Sequence, residues 1–306
     1  MNRWPSRYRE PSSRKPLVRL ATRLYEWRLP TETEPELSED SITIVCVSDT
    51  HTTRPILPHG DLLLHAGDLS ETGSFDEIQA QLDWLNAQPH KHKVIIGGNH
   101  DLLLDLAFVD RFPERVFERP GASRSDLRWG SVNYLQDESI TLRFRNGRSL
   151  NVYGSPWTQQ YGTWAFQYPP IRNVWTGVVP DDTDILLTHG PPKFHLDQNV
   201  LGNAYLLKEL CRVRPRLVVF GHIHGGYGQE VVAFDALQSA FESVRIGDGG
   251  IMSVSLMLFH MLLEWIWFAL GRAAARPAGM LTRLVNAAAV GGPRNRDRRS
   301  PITVHV

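Results

Sequence analysis

Residues Leu217–Gly228 read LVVFGHIHGGYG. The apolar, β-branched run at its start has the pattern of a buried strand, yet it ends in two histidines one residue apart, set among glycines. Alternation puts the side chains of i and i+2 on the same side of an extended segment, so His222 and His224 can both reach one site. Glycine lets the backbone leave the strand sharply at that point. Taken alone, such a pair is more often two polar loop residues than a pair of metal ligands, so its neighbours along the chain decide the matter.

From Ser41 onward, short apolar runs (ITIVCVS, DLLLHAG, KVIIGG, LNVYGS, DILLTHG, LVVFGHIH) alternate with longer mixed segments, including helical stretches at Phe75–Ala87 and Leu201–Val213. This alternation predicts an α/β fold with buried, partly parallel strands. Nearly every run ends in a polar group. VSDTH supplies Asp49 and His51, HAGDLSETG supplies Asp68, GGNHD supplies Asn99, His100 and Asp101, and LLTHGPP supplies His189. Open α/β sheets place ligands at the carboxyl ends of their strands.

Asp49, His51, Asp68, Asn99, His189, His222 and His224 make seven oxygen or imidazole donors. Such donors suit borderline divalent ions such as manganese, iron and zinc. Seven exceed the needs of one ion. Two ions about 3.5–4 Å apart, sharing a carboxylate, would use them all, clamp both oxygens of a phosphoryl transfer and acidify a water toward a pKa of roughly 7. Singly, Asp49 could cap a helix, Asn99 could sit in a turn and His189 could be a core histidine. Their recurrence at one strand end after another argues against coincidence.

The order D-x-H, G-D, G-N-H-D, H, G-H-x-H resembles the calcineurin-like metallophosphoesterase superfamily from about Ser41 to Gly228. GPP and GHIHGGYG look like its metallophosphoesterase-domain-containing, fetal-brain phosphodiesterase-like branch, and the hydrophobic insertion described below makes the chain resemble a fungal-type homologue. The resemblance implies two packed mixed β-sheets flanked by helices, an αββα sandwich. It implies Asp49, His51 and His224 on one ion, Asp68 bridging, and Asn99, His189 and His222 on the other. His100 would be the general acid, with Asp101 orienting it. The implied reaction is hydrolysis of a phosphodiester, cyclic nucleotides included, by metal-bound hydroxide. Phosphomonoester hydrolysis and a membrane-associated scaffold with a retained, inactive metal site are the alternatives. Some members of that branch lack the first histidine of the last motif; here His222 is present.

The rest of the chain sets the boundaries. Among its 306 residues, 33 Lys and Arg balance 33 Asp and Glu, so no global field points to nucleic acid. Two cysteines, Cys46 and Cys211, give neither a disulfide framework nor zinc-finger spacing, as in a reducing compartment. The N-terminus has no secretory pattern, and the expected location is the cytoplasm, peripheral on a membrane's cytosolic face if the insertion binds lipid. Residues 1–40 form a basic, then acidic leader, in which Leu17, Leu20, Leu24 and Trp27 recur at helical spacing. Residues 41–306 form the catalytic domain, with an insertion at about 233–282 and closing strands at about 283–306. Asn146-Gly147 between TLRFR and RSLNVYG predicts a hairpin turn.

Two stretches stay open. YGSPWTQQYGTWAFQY (153–168) could wall the metal site with aromatics that stack on a nucleotide, Trp157 among them, or could be a packed loop. Lys193, Arg172 and Asn173 are candidate phosphate contacts. IMSVSLMLFHMLLEWIWFAL (251–270) is long enough to span a bilayer. If both its flanks belong to one domain, a single crossing fails, leaving a helix lying on the bilayer, a re-entrant hairpin, or a helix buried against the domain or in an oligomer. His260 and Glu264 share a face, and Arg272, Arg276 and Arg283 follow.

Overall fold

The structure, a computed structural model, describes residues 15–28, 40–116, 122–198, 201–270 and 281–306. Eleven strands carry its two large sheets: β1 (Thr43–Val47), β2 (Leu62–His65), β3 (His92–Ile95), β4 (Val132–Tyr134), β5 (Glu138–Arg143), β6 (Ser149–Ser155), β7 (Ile185–Thr188), β8 (Leu217–Phe220), β9 (Gly228–Ala233), β10 (Leu281–Asn286) and β11 (Ile302–His305). One sheet has the order β11-β1-β2-β3-β4 and the other β9-β10-β8-β7-β6-β5.

The strands β1 to β4 run parallel, with β11 antiparallel at the edge. In the second sheet β6, β7, β8 and β10 are mutually parallel. Strands buried on both faces read as continuous apolar runs, which is why TIVCV, LLLH, ILLT and LVVF show so little polar alternation. Alternate residues still divide between the faces. Ile44, Cys46, Leu62 and Leu64 of the first sheet share one core with Val152, Leu187 and Val219 of the second. On the outer face of the first sheet, Val45, Val47, Leu63 and Ile95 pack with Ile78, Leu82 and Leu85 of helix α2. The result is two mixed sheets packed face to face and flanked by helices.

The helices are α1 (Lys15–Glu26), α2 (Phe75–Asn86), α3 (Leu106–Arg111), α4 (Ala204–Val213), α5 (Ala236–Ile246) and α6 (Ile251–Ala269). Local chemistry sets their starts: Ser74, Asp105, Asn203 and Asp235 each accept a backbone N–H of the first turn. The Asn146-Gly147 turn joins β5 to β6 as an antiparallel pair, with Arg143 opposite Ser149 and Gly147 at φ 82°.

Parallel pairing brings the carboxyl ends of β1, β2 and β3 to one edge and those of β7, β8 and β10 to another. These edges are stitched together: Ser48 bridges Ala288 in parallel, its N–H donating to Ala287 O at 2.9 Å and its carbonyl accepting from Ala289 N–H at 2.7 Å.

A separate unit is formed by α1, α5 and α6. Its core holds Ala21, Ala240, Phe241, Val244, Val254 and Met257, with Leu17, Val18, Leu24 and Tyr25 against it. The buried face of α1 therefore differs from the expected stripe. Leu17 and Leu24 face inward, whereas Leu20 and Trp27 are exposed, because Val18, Ala21 and Tyr25 occupy the packed side. The acidic part of the leader at 31–39, and Arg272 and Arg276, lie outside the described residues.

The inter-sheet core generates a direct expectation. Replacing the fully buried Leu187 by Ala should cost about 2–5 kcal/mol of stability, read as a lower urea midpoint followed by tryptophan fluorescence.

Candidate metal centre

Four of the polar residues at the strand ends hold backbone conformations that side chains disfavour: Asp49 (φ 50°), His51 (φ 42°), Asp68 (φ 54°) and His222 (φ 63°). Such strain persists where the surroundings fix it, and it clusters at functional sites. Each turn brings its donor to the stitched edge of the two sheets.

Three donor groups result, each with ligand atoms within 4.8 Å of one another: Asp49, His51 and His224; Asp68, His189 and His222; and His51, Glu71 and His100. In the first, His224 Nε2 lies 3.2 Å from Asp49 Oδ1. In the second, His189 Nε2 lies 3.3 Å from Asp68 Oδ2 and 3.1 Å from Asn99 Oδ1. Asp68 Oδ2 is also 3.7 Å from His51 Nε2, so this one carboxylate stands between the two groups. The structure thus brings together all seven of the predicted donors.

The outer nitrogens of two rings are held. His189 Nδ1 donates to Ala66 O at 2.7 Å, which points Nε2 toward Asp68 and Asn99 as the nitrogen a cation would meet. His224 Nδ1 sits 3.0 Å from Asn295 Oδ1. Asp49 accepts the His222 N–H on both oxygens, at 3.1 and 3.0 Å, and Asp68 Oδ1 accepts the His100 N–H at 2.8 Å.

The electrostatics are those of a buried anion pair answered by imidazoles. Burial works to raise the Asp49 carboxyl, but the hydrogen bond and charge of His224, with His189, hold it well below the usual range. Asp68 is likewise held low against its burial, chiefly by His189 and His100. Burial disfavours the charged form of His51 and His189. For His51 the Glu71 carboxylate at its Nδ1 and the charge of Asp68, and for His189 the charges of Asp68 and Asp49, outweigh it and lift both to about 9. Burial and the charge of His189 push His222 down to about 4.

Divalent cations fit these residues. Asp49 and Asp68 are 0% and 2% exposed, His51 Nε2 is buried without a hydrogen-bond partner, and the donors are the oxygen and imidazole types that borderline ions take. Two glycines make room for the carboxylates. A Cβ on Gly221 would run into Asp49 Oδ2 and Ser48 Oγ, and one on Gly98 into Asp68.

His100 stands beside the donors, half-buried. Its Nδ1 donates to Glu71 O at 2.7 Å, its ring stacks on Trp164 at 4.3 Å, and it meets His51 edge-on at 4.7 Å. The role expected of Asp101 needs correction. Its buried carboxylate does not orient the His100 ring; it accepts the N–H groups of Gly98 (2.8 Å), Ser70 (2.9 Å) and Leu69 (3.2 Å) and the Ser70 hydroxyl (2.6 Å). It clamps the loop after β2 to the loop after β3, while the Glu71 carbonyl orients His100.

Sequence reasoning missed two residues. Glu71 lies 3.2 Å from His51 Nδ1 and sits in the HAGDLSETG motif, three residues after Asp68, where a second strand-end carboxylate was legible. Trp164 carried no signal distinguishing it from Trp157. The 153–168 stretch is mostly packed: Phe166 and Tyr168 are buried, and Trp157 packs on Phe166 with its Nε1 donating to Asp137 Oδ2 at 2.7 Å. The expected aromatic wall reduces to Trp164. Arg172 is exposed on a loop, and Asn173 caps the turn at Trp175 and Thr176. Lys193 lies over the Phe194 ring at 5.3 Å.

Comparison with known proteins agrees with this geometry. The calcineurin-like phosphoesterase family profile matches residues 42–226. A protein of Emericella nidulans named probable rhamnogalacturonate lyase C is 41% identical over 280 residues, covering 90% of this chain and 25% of that protein. Human metallophosphoesterase domain-containing protein 1 is 39% identical over 204 residues, covering 60% of this chain and 61% of its own length. A UPF0046 protein of Caenorhabditis elegans is 32% identical over 221 residues, covering 65% and 74%. The chain thus spans a quarter of the fungal relative and about three-fifths of the human one.

Two substitutions test the site's construction. Asp101→Ala leaves three buried backbone donors without their acceptor, at about 1–3 kcal/mol each, and should lower stability by at least about 3 kcal/mol in chemical denaturation. Gly221→Ala should displace Asp49 and lower the metal retained after gel filtration, measured by elemental analysis, while circular dichroism stays native.

Proposed function

The chain belongs to the calcineurin-like phosphoesterase family, and from that premise we propose that it is a dinuclear metal-dependent phosphodiesterase. One observation carries the proposal: Asp68 Oδ2 lies 3.3 Å from His189 Nε2 and 3.7 Å from His51 Nε2, the position of a carboxylate shared by two ions. Asp49, His51 and His224 would hold one ion and Asn99, His189 and His222 the other. Bound there, two divalent ions would supply Lewis acidity to the phosphoryl oxygens and a nucleophilic water at neutral pH.

The chain's own residues supply the rest. His100, with Nδ1–H committed to the Glu71 carbonyl, has Nε2 available to hand a proton to the departing oxygen. Trp164 on its face and His51 at its edge fix the ring. Asp101 holds the His100 loop in place through the backbone. The half-exposed Glu71 carboxylate beside His100 disfavours a second negative charge on the substrate and so favours a diester over a monoester dianion.

The fungal relative's name refers to a lyase, but this chain corresponds to only a quarter of that protein. The donor set is one for hydrolysis.

The test is hydrolysis of an aryl phosphodiester and its matching monoester after chelation and manganese return. Diester cleavage should reappear with manganese and exceed monoester cleavage. It should fall about 10²–10⁴-fold in His100→Ala, with metal content unchanged. Preferred monoester turnover would reassign the substrate class, and two bound ions without turnover of either ester would leave a scaffold with a retained metal site.

A further inference from the structure

The unit formed by α1, α5 and α6 takes no part in the site just described, yet it carries most of the exposed apolar surface. Eleven of the nineteen exposed large apolar side chains among the described residues fall between Ile251 and Leu270. We propose that α6 lies flat in the headgroup region of a membrane bearing anionic lipids and holds the protein there as a monotopic attachment.

Over residues 251–264 the helix is divided lengthwise, and residues 265–270 are exposed on every side. Val254, Met257 and Met261 recur at i, i+3 and i+7 and are buried, the first two in the unit's own core. The half-cylinder opposite presents Met252, Phe259, Leu262 and Ile266 to the outside. No charge interrupts that outer half. The helix's single carboxylate, Glu264, turns inward, 3.9 Å from Arg28 Nε, and Arg28 also pairs with Asp235. A surface for a soluble partner has a polar rim around an apolar centre; on α6 the exposed side chains are apolar from end to end except Ser255.

Charge and aromatic placement select the lipid. Trp265 and Trp267 gather at the C-terminal end, where indoles favour the headgroup layer. In the same unit, α1 exposes Arg19 and Arg23 together with Leu20 and Trp27, a pairing of cations and apolar side chains that suits an anionic interface. Arg272 and Arg276 follow α6 in the sequence.

Connectivity excludes a crossing. The chain leaves the second sheet at β9 and returns at β10, its hydrogen-bonded neighbour. If α6 spanned the bilayer, only the ten residues 271–280 would remain to cross back, about half of what a spanning helix needs.

The experiment is co-sedimentation of the full chain with phosphatidylcholine vesicles, with and without phosphatidylserine, followed by quenching of tryptophan by brominated lipids. The triple variant Met252→Gln, Phe259→Gln, Ile266→Gln tests the apolar half, and Arg19→Glu, Arg23→Glu tests the charge. Unchanged thermal unfolding and unchanged aryl ester hydrolysis would show that the variants remain folded. The intact chain should pellet with the phosphatidylserine vesicles, and the bound-to-free ratio should fall at least tenfold in the triple variant. The charge variant should bind both vesicle types alike, and quenching should be strongest with bromines near the headgroups. Failure of the intact chain to bind either vesicle would overturn the proposal. So would concentration-dependent self-association abolished by the triple variant, which would assign the face to a second copy of the chain.

Discussion

Two carboxylates that water barely reaches, Asp49 and Asp68, govern this structure. A pair of like charges at such depth is tolerable only if hydrogen-bond donors and cations surround it. The surrounding backbone is arranged to supply them. His222 N–H turns to Asp49, His100 N–H turns to Asp68, and strained φ values at four donors keep the side chains converging. The glycines beside them leave the space that the oxygens fill. Even the union of the sheets through Ser48 and Ala288 falls one residue from Asp49, so the joint that sets the architecture also sets the distance between donors from different sheets.

Much of this was legible in the sequence because buried parallel strands have a plain signature and their carboxyl ends fall at predictable places. LVVF followed by GHIH, and TIVCV followed by SDTH, declare a strand and its donors in one stretch. The hairpin at Asn146-Gly147 was legible for the same reason, since the turn demands φ > 0 at Gly147.

What was not legible depends on contacts between distant segments. Asp101 lies next to His100, and adjacency suggested partnership, but consecutive side chains diverge and its acceptor role is spent on the loop of residues 67–71. Trp164 and Trp157 share one aromatic stretch, and only the fold decides which of them reaches His100. The stripe assigned to α1 failed similarly: helical spacing admits several faces, and the packing of α5 and α6 selects the one through Val18, Ala21 and Tyr25.

The placement of β10 between β9 and β8 has a consequence for how the chain is made. During synthesis, the turn that carries His222 and His224 emerges before the strand that flanks β8, and the whole of α5 and α6 emerges in between. The second sheet stays incomplete while α6, the most apolar of the described helices, is already outside the ribosome. The first sheet closes later still, when residues 302–305 reach back to residues 43–46. Contacts of such sequence separation form slowly, so the donors carried by the two sheets converge only after the apolar helix has been synthesised.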